Sequence, residues 1–266
     1  MTILVTGATG NIGRRVVDHL LDAGATDVRA LTVDPRRAAL PPEVEVAVGY
    51  IGRPETLPAA LDGVERMYLA PPPGPTRVLE EAKRAGVARV VDVSGPPESW
   101  WDHVRADVED SGLAWTHLWP GEFYENFTMW APQIRRGDLV LDPCPAAANA
   151  AVGMDDIAAI AAHCLLDDCH IGQSYVLTGP ETLSRADRIR IIGEALGRTL
   201  SCREISRDEA LAEFGPVLGE GAEWYLDLQP DQVGDPQPVD DTFARVMGRA
   251  ATDFARWAAG HADEFR

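Results

Sequence analysis

Lysine is almost missing from this chain of 266 residues. Lys83 is the only one, so any chemistry that needs a lysine in the active centre must use that residue or do without. Positive charge is scarce as a whole. Lys and Arg total 24 against 42 Asp and Glu, for a net charge of −18. Nucleic-acid phosphates and anionic membrane surfaces both need clustered cations, so neither is expected as a partner. No apolar run reaches the roughly 18 residues of a membrane span. The opening "MTILVTGATG" has no basic stretch before its apolar residues, so it does not read as a secretory signal. The expected compartment is the cytoplasm. Cysteines are few, at 144, 164, 169 and 202, and imply no disulfide framework. "HCLLDDCH" (163–170) has metal-ligand residue types, but its spacing fits no structural zinc pattern. Core cysteines and no metal are expected.

What is present is a rhythm. Apolar strands alternate with helical stretches: "TILVTG", then a helix over 11–23 with Ile12, Val16, Val17, Leu20 and Leu21 at helical spacing. "DVRALTV", "VEVAVG", "ERMYLAPP", "ARVVDVSG" and "LAWTHLWP" follow as strands. Such alternation predicts βαβ crossovers and a doubly wound parallel sheet, an α/β fold of Rossmann type. After Pro120 the pattern becomes aromatic and irregular. "DDIAAIAAHCLLDD" is a helix, "QSYVLTG" rejoins the sheet, and "SRADRIRIIGEALG" is a helix capped by Ser184. The division expected is 1–122 as a dinucleotide-binding core and 123–266 as mainly a substrate-binding lobe. That lobe would return to the core sheet at about 152–178.

The first strand runs into Gly7-Ala8-Thr9-Gly10-Asn11-Ile12-Gly13. Gly7 allows a tight turn, Gly10 lets backbone approach a pyrophosphate, and Gly13 lets helix and strand pack closely. The helix N-terminus offers N–H groups and partial positive charge to the anion. A glycine triplet alone is weak. Placed between a strand and a helix at the head of an alternating α/β pattern, it is a strong dinucleotide signal.

From these residues onward the chain resembles the NmrA-like group of atypical short-chain dehydrogenases/reductases. The likeness runs through "AALDGVERMYLAPPP", "AKRAGVARVVDVSG", "EDSGLAWTHLWPGEFYENF", "SYVLTGPETLS" and the ending "ARVMGRAATDFARWAAGHADEF". It implies a Rossmann core that binds NADP or NAD, NADP ahead, through Gly7, Thr9, Gly10, Asn11, Ile12, Gly13, Ala70 and Pro71. It also implies a small C-terminal lobe closing a substrate cleft. The usual Tyr-x-x-x-Lys pair of these enzymes is absent. Val33 stands where an arginine commonly meets the 2′-phosphate of NADP, which leaves Arg36 and Arg37 for that task. Tyr50 and Trp119 likewise replace an aspartate and an arginine.

"VVDVSGPPESWWDH" (90–103) sets a carboxylate and a hydroxyl in an apolar strand. Alternation puts Asp92 and Ser94 on one face. Ser94 ends the strand, where ligands bind in open α/β sheets, and is the expected substrate-orienting residue. Asp92 is expected to accept N–H bonds from a neighbouring loop. Trp100 and Trp101 should open the next helix beside the cleft, and His103 with Asp107 is a candidate acid/base pair. In "WPGEFYENF", Tyr124 is the remaining phenol for proton transfer. Phe123, Asn126 and Trp130 complete a pocket for a flat, apolar or aromatic ligand. The function expected is NAD(P)H-dependent reduction of a small aromatic, quinone-like or polyketide-like carbonyl or imine. A non-redox cyclase, dehydratase or epimerase on the same fold is the alternative, and a dinucleotide-sensing regulator a further one. The partners expected are the small substrate and, at most, another copy of the chain in a homo-oligomer.

Overall fold

The computed structural model describes residues 1–71 and 74–266. The chain falls into two compact units. Unit 1 comprises 1–120, 154–177 and 245–248, and unit 2 comprises 121–153, 178–244 and 249–266.

Unit 1 is built on a seven-stranded sheet. Its strands are β1 (Thr2–Val5), β2 (Val28–Thr32), β3 (Glu45–Val48), β4 (Val64–Leu69), β5 (Arg89–Val93), β6 (Ala114–Pro120) and, later in the chain, β9 (Gln173–Leu177). The spatial order is β3-β2-β1-β4-β5-β6-β9, and every pairing is parallel. That is the doubly wound α/β fold read from the sequence, with all seven strands where the apolar runs placed them. The strand order reverses between β1 and β4, the position at which such sheets bind ligands.

Helices α1 (Asn11–Asp22), α2 (Pro58–Leu61), α3 (Thr76–Ala85), α4 (Asp102–Asp110) and α6 (Met154–Leu166) cover the sheet. Leu61, Val78, Leu79, Ala82 and Val108 of α2, α3 and α4 pack with Leu4, Leu31, Met67, Leu69 and Val90. Helix α6 packs on α1 and against β4, β5 and β6. It is apolar almost all round, with Ile157, Ile160, Ala161 and Leu165 fully buried, as a helix enclosed on both sides must be.

Unit 2 holds α5 (Ala131–Arg136), β7 (Leu139–Asp142), β8 (Ala148–Asn149), β10 (Leu183–Ser184), α7 (Arg185–Leu196), β11 (Ser201–Glu204), α8 (Arg207–Leu218), α9 (Ala222–Asp227), α10 (Asp231–Gly234) and α12 (Phe254–Gly260). Helix α11 (Thr242–Met247) carries the chain between the units. Strands β8 and β10 pair antiparallel, and β7 and β11 pair parallel. Ser184 caps α7 in a reciprocal box with Asp187, as the sequence predicts. The core of unit 2 is aromatic: Tyr124, Phe127, Trp130, Phe214, Phe254, Trp257 and Phe265 are all buried. Among the described residues, no helix is long and apolar enough to cross a membrane.

Candidate active site

The loop after β1 has the geometry its glycines foretell. Gly7 takes φ +61°, and a Cβ there would stand 2.8 Å from the Ala70 Cβ, so the ends of β1 and β4 approach as only glycine permits. A Cβ on Gly13 would fall 2.2 Å from the Gly7 carbonyl oxygen. The Ala70 N–H donates to Thr6 Oγ1 at 2.8 Å, and that hydroxyl donates to the Tyr68 carbonyl at 2.9 Å. The turn is thereby tied to the end of β4. Gly10 is the N-cap of α1, and among the described residues no side chain caps the helix. The first-turn N–H groups therefore remain available to an anion. Thr9, Asn11 and Ile12 lie in this turn and first helical residues, so the loop fits a dinucleotide pyrophosphate.

Past β2, Val33 is 66% exposed. Asp34 accepts the Arg36 N–H at 3.0 Å and so shapes the turn that carries Arg36 and Arg37. Both arginines are exposed. Tyr50, after β3, is half exposed, and its ring crosses the space a Gly52 side chain would occupy.

Ser94 follows β5 two strands from the glycine loop, about 10 Å away at the usual strand spacing. It is buried, and among the described residues its hydroxyl has no well-formed hydrogen bond, although it lies close enough to the Asp92 carboxyl on the same face to favour that group's charged form. Asp92 has a partner other than the one expected. Instead of a loop N–H, it faces His117 directly across the β5–β6 pairing, with Nδ1 2.7 Å from Oδ2. Both residues are completely buried. His117 is stacked between Trp115 (4.2 Å between centroids) and Trp119 (6.4 Å). Its Nε2 stands 3.6 Å from Glu109 Oε1 on α4. Burial pushes the Asp92 carboxyl upward, against the opposing pull of His117. The signal for this pair was in "WTHLWP", whose alternation places Trp115, His117 and Trp119 on one face.

The turn after Ser94 runs through Pro96 and Pro97 to Glu98, which takes φ +68°. It brings Trp100, Trp101 and His103 to Pro71 around an open pocket of about 380 Å³. Trp100 and Trp101 are 68% and 41% exposed, so they are surface walls and not core. They precede α4 and do not open it, since Trp101 is its N-cap. The expected His103–Asp107 pair does not form. His103 Nδ1 meets the Trp100 carbonyl at 3.1 Å, and Asp107 accepts from Thr76 at 2.9 Å.

Unit 2 corrects two further expectations. Tyr124 is 1% exposed, and its hydroxyl donates to the Thr252 carbonyl at 3.1 Å. Its ring lies against Phe254 and Trp257, because an aromatic face gains more from that core than from water. The phenol is thus packed inside unit 2 and does not face a cleft. Trp130 is fully buried too, stacked on Phe127 with Nε1 donating to Asp142 at 3.1 Å. Phe123 and Asn126 are half buried. The sequence reading missed Arg185, which is buried against Asp142 (2.7 Å) and lies over the Trp130 ring. It reads as an ordinary surface residue of an amphipathic helix.

The cysteine expectation holds for Cys164, which is buried, and fails for Cys169, which is exposed. Lys83 is exposed on α3, where Nζ donates to the Ser111 carbonyl at 2.7 Å.

A sequence model of an NAD(P)H-binding family matches residues 7–168. An NAD(P)H azoreductase of Xenophilus azovorans is 34% identical, over 99% of both chains. A (4-alkanoyl-5-oxo-2,5-dihydrofuran-3-yl)methyl phosphate reductase of Streptomyces griseus is 33% identical, again over 99% of each. Among solved structures, the NADPH-dependent quinone oxidoreductase QOR2 of Escherichia coli aligns with a TM-score of 0.83 at 24% identity, over 97% of this chain and 99% of that one. The Citrobacter triphenylmethane reductase complexed with NADP(H) aligns at 0.85 and 20% identity, over 98% and 100%. These two share the fold.

Proposed function

The chain belongs to the NmrA-like, NAD(P)H-binding family of atypical short-chain reductases, and from that membership we propose that it reduces a small, flat, aromatic or quinone-like acceptor. The observation that carries this reading is the glycine loop, whose close approach to Ala70 and uncapped helix start form a cradle for a pyrophosphate. Bound there, NADPH or NADH supplies the hydride. Gly7, Thr9, Gly10, Asn11, Ile12 and Gly13 hold the diphosphate, and Ala70 and Pro71 border it. Arg36 and Arg37 read the 2′-phosphate, a task Val33 has no charge to perform. Ser94 donates a hydrogen bond to the acceptor's oxygen or nitrogen and orients it. Trp100 and Trp101 offer flat walls for an aromatic ring. With Tyr124 packed away and Lys83 on a remote helix, the proton that completes reduction comes from solvent, and His103 borders the pocket it enters. The azo, quinone and furanone acceptors in the names of relatives are all planar and conjugated, which suits such walls. At a net charge of −18 the reading includes no nucleic-acid partner. It places the chain in the cytoplasm, with at most a further copy of itself as a macromolecular partner.

The test uses protein stripped of nucleotide, NADPH or NADH, and a panel of quinones and azo dyes. Nucleotide oxidation should match acceptor reduction, at one equivalent for each quinone and two for each azo bond cleaved. Undiminished product without nucleotide would replace this reading with a non-redox one. Arg36→Ala with Arg37→Ala should weaken NADPH far more than NADH; equal losses would remove them from phosphate recognition. Ser94→Ala should slow turnover by about fivefold or more, from a lost hydrogen bond of roughly 1 kcal/mol, while Lys83→Ala leaves it unchanged.

A further inference from the structure

We propose that the turn joining α6 to β9 binds a borderline-soft divalent cation of the Zn²⁺ type through Asp167, Cys169 and His170. One ligand atom from each of these residues lies within 4.8 Å of the other two. Tetrahedral zinc with bonds of about 2.0–2.3 Å needs ligand atoms roughly 3.3–3.8 Å apart. Small side-chain rotations close that gap. Carboxylate, thiolate and imidazole together are a donor set for zinc and not for magnesium or calcium, which take oxygen.

The second observation is His170 itself. The residue is 5% exposed, yet its Nε2 has no hydrogen-bond partner among the described residues. Its Nδ1 stands 2.8 Å from the Tyr175 hydroxyl. Zinc-bound histidines are commonly oriented in this way, with one nitrogen fixed by an outer partner and the other left for the metal. The His163 ring packs 4.9 Å from the His170 ring and forms one wall. Asp167 and Cys169 are exposed, so ions enter freely and water can fill a fourth position.

The turn is also held rigid. Arg89, 2% exposed at the start of β5, donates to the Asp167 carbonyl at 2.7 Å and pairs with Asp168 at 3.1 Å. Arg66 pairs with the same Asp168 at 2.8 Å. Thr116 donates to the His170 carbonyl at 2.7 Å. Asp168 and the carbonyls thus draw on both guanidinium groups. The Asp167 carboxylate accepts the Cys169 N–H at 2.9 Å, which folds these two ligands toward each other, and it keeps further lone pairs for the cation. The site lies where β4, β5 and β9 begin, the opposite end of the sheet from the glycine loop. It is therefore independent of nucleotide chemistry, and a cation there fastens β9 to α6.

The experiment uses tag-free, full-length protein freed of metal by a chelator. Zn²⁺ is titrated in competition with a chromophoric chelator, and Co²⁺ is added as a spectroscopic probe. Expected are one equivalent bound, a thiolate-to-cobalt charge-transfer absorption in the near ultraviolet, and a higher thermal midpoint with Zn²⁺. Cys169→Ser should abolish the charge-transfer band. Tyr175→Phe, which keeps all three ligands, should weaken Zn²⁺ by about 10–100-fold. Cys202→Ser, in unit 2, should bind as wild type does. Failure to take up one equivalent, a band that survives Cys169→Ser, or an unchanged affinity in Tyr175→Phe would each overturn the site.

Discussion

Asp92 explains why a core strand tolerates a carboxylate. A buried charge must be paired or neutralised, and the β5–β6 register supplies His117 at 2.7 Å. Burial is the larger influence and raises the carboxyl above its ordinary 3.8. A raised carboxyl means that the folded state holds the proton more tightly than the unfolded chain does. Its contribution to stability is complete below 3.8 and is lost as pH climbs through the raised value. Asp92→Asn has no such proton to lose. Wild-type stability should therefore fall relative to Asp92→Asn as pH rises from about 4 to about 8; parallel melting curves across that range would contradict it. The glycine loop gives a sharper contrast. Gly10→Ala meets only the Gly7 carbonyl at 3.2 Å, whereas Gly13→Ala would meet it at 2.2 Å. Gly10→Ala should fold with little change, and Gly13→Ala should lose about 1–3 kcal/mol from overpacking. Denaturant midpoints of the two variants decide it.

At the scale of elements, α1 and α6 are joined at their exposed rim by His19, whose Nε2 lies 3.0 Å from Asp155 Oδ1. The Asp155 hydrogen bond raises His19 above 6.5, with burial opposing it. The pair's contribution is complete below 6.5 and is lost as pH rises through the raised value. Asp155 is well exposed, so about 0.2–1 kcal/mol is the scale expected. Asp155→Asn should cost that much at about pH 6 and almost nothing at about pH 9; an equal cost at both would leave the histidine's charge out of it. The seven sheet strands were legible because each is an apolar run bounded by turn residues, and the strand-loop-helix setting made the glycine loop legible as well. The two-residue strands β8 and β10 carry no periodicity to read. The burial of Tyr124, Trp130 and Arg185 depends on long-range packing in unit 2, which local pattern does not encode. Asp92 and His117 meet through a strand register, and register emerges only when two distant segments are paired.

For the whole molecule, the interleaving of the units matters more than their sizes. The chain passes between them at 120/121, 153/154, 177/178, 244/245 and 248/249. Residues 1–120 contain six of the seven sheet strands but lack α6 and β9. Without α6, the face holding Val91 and Val93 would be open to water, and so would the buried side of α1. A fragment ending at Pro120 should therefore aggregate or lack a cooperative thermal transition, while the full chain melts sharply. A soluble fragment with a sharp transition would show that β1–β6 and their helices suffice alone.

Lys83, held by Ser111 on the outer side of α3, gives the chain an unusual chemical address. Amine-directed reagents find one side chain besides the N-terminus, and the latter lies near Asp27 and Glu65. A dye or solid support coupled through Lys83 labels every molecule at the same point, in the same orientation. A lysine-specific protease has a single cleavage site, so the appearance of fragments 1–83 and 84–266 times the opening of this one helix.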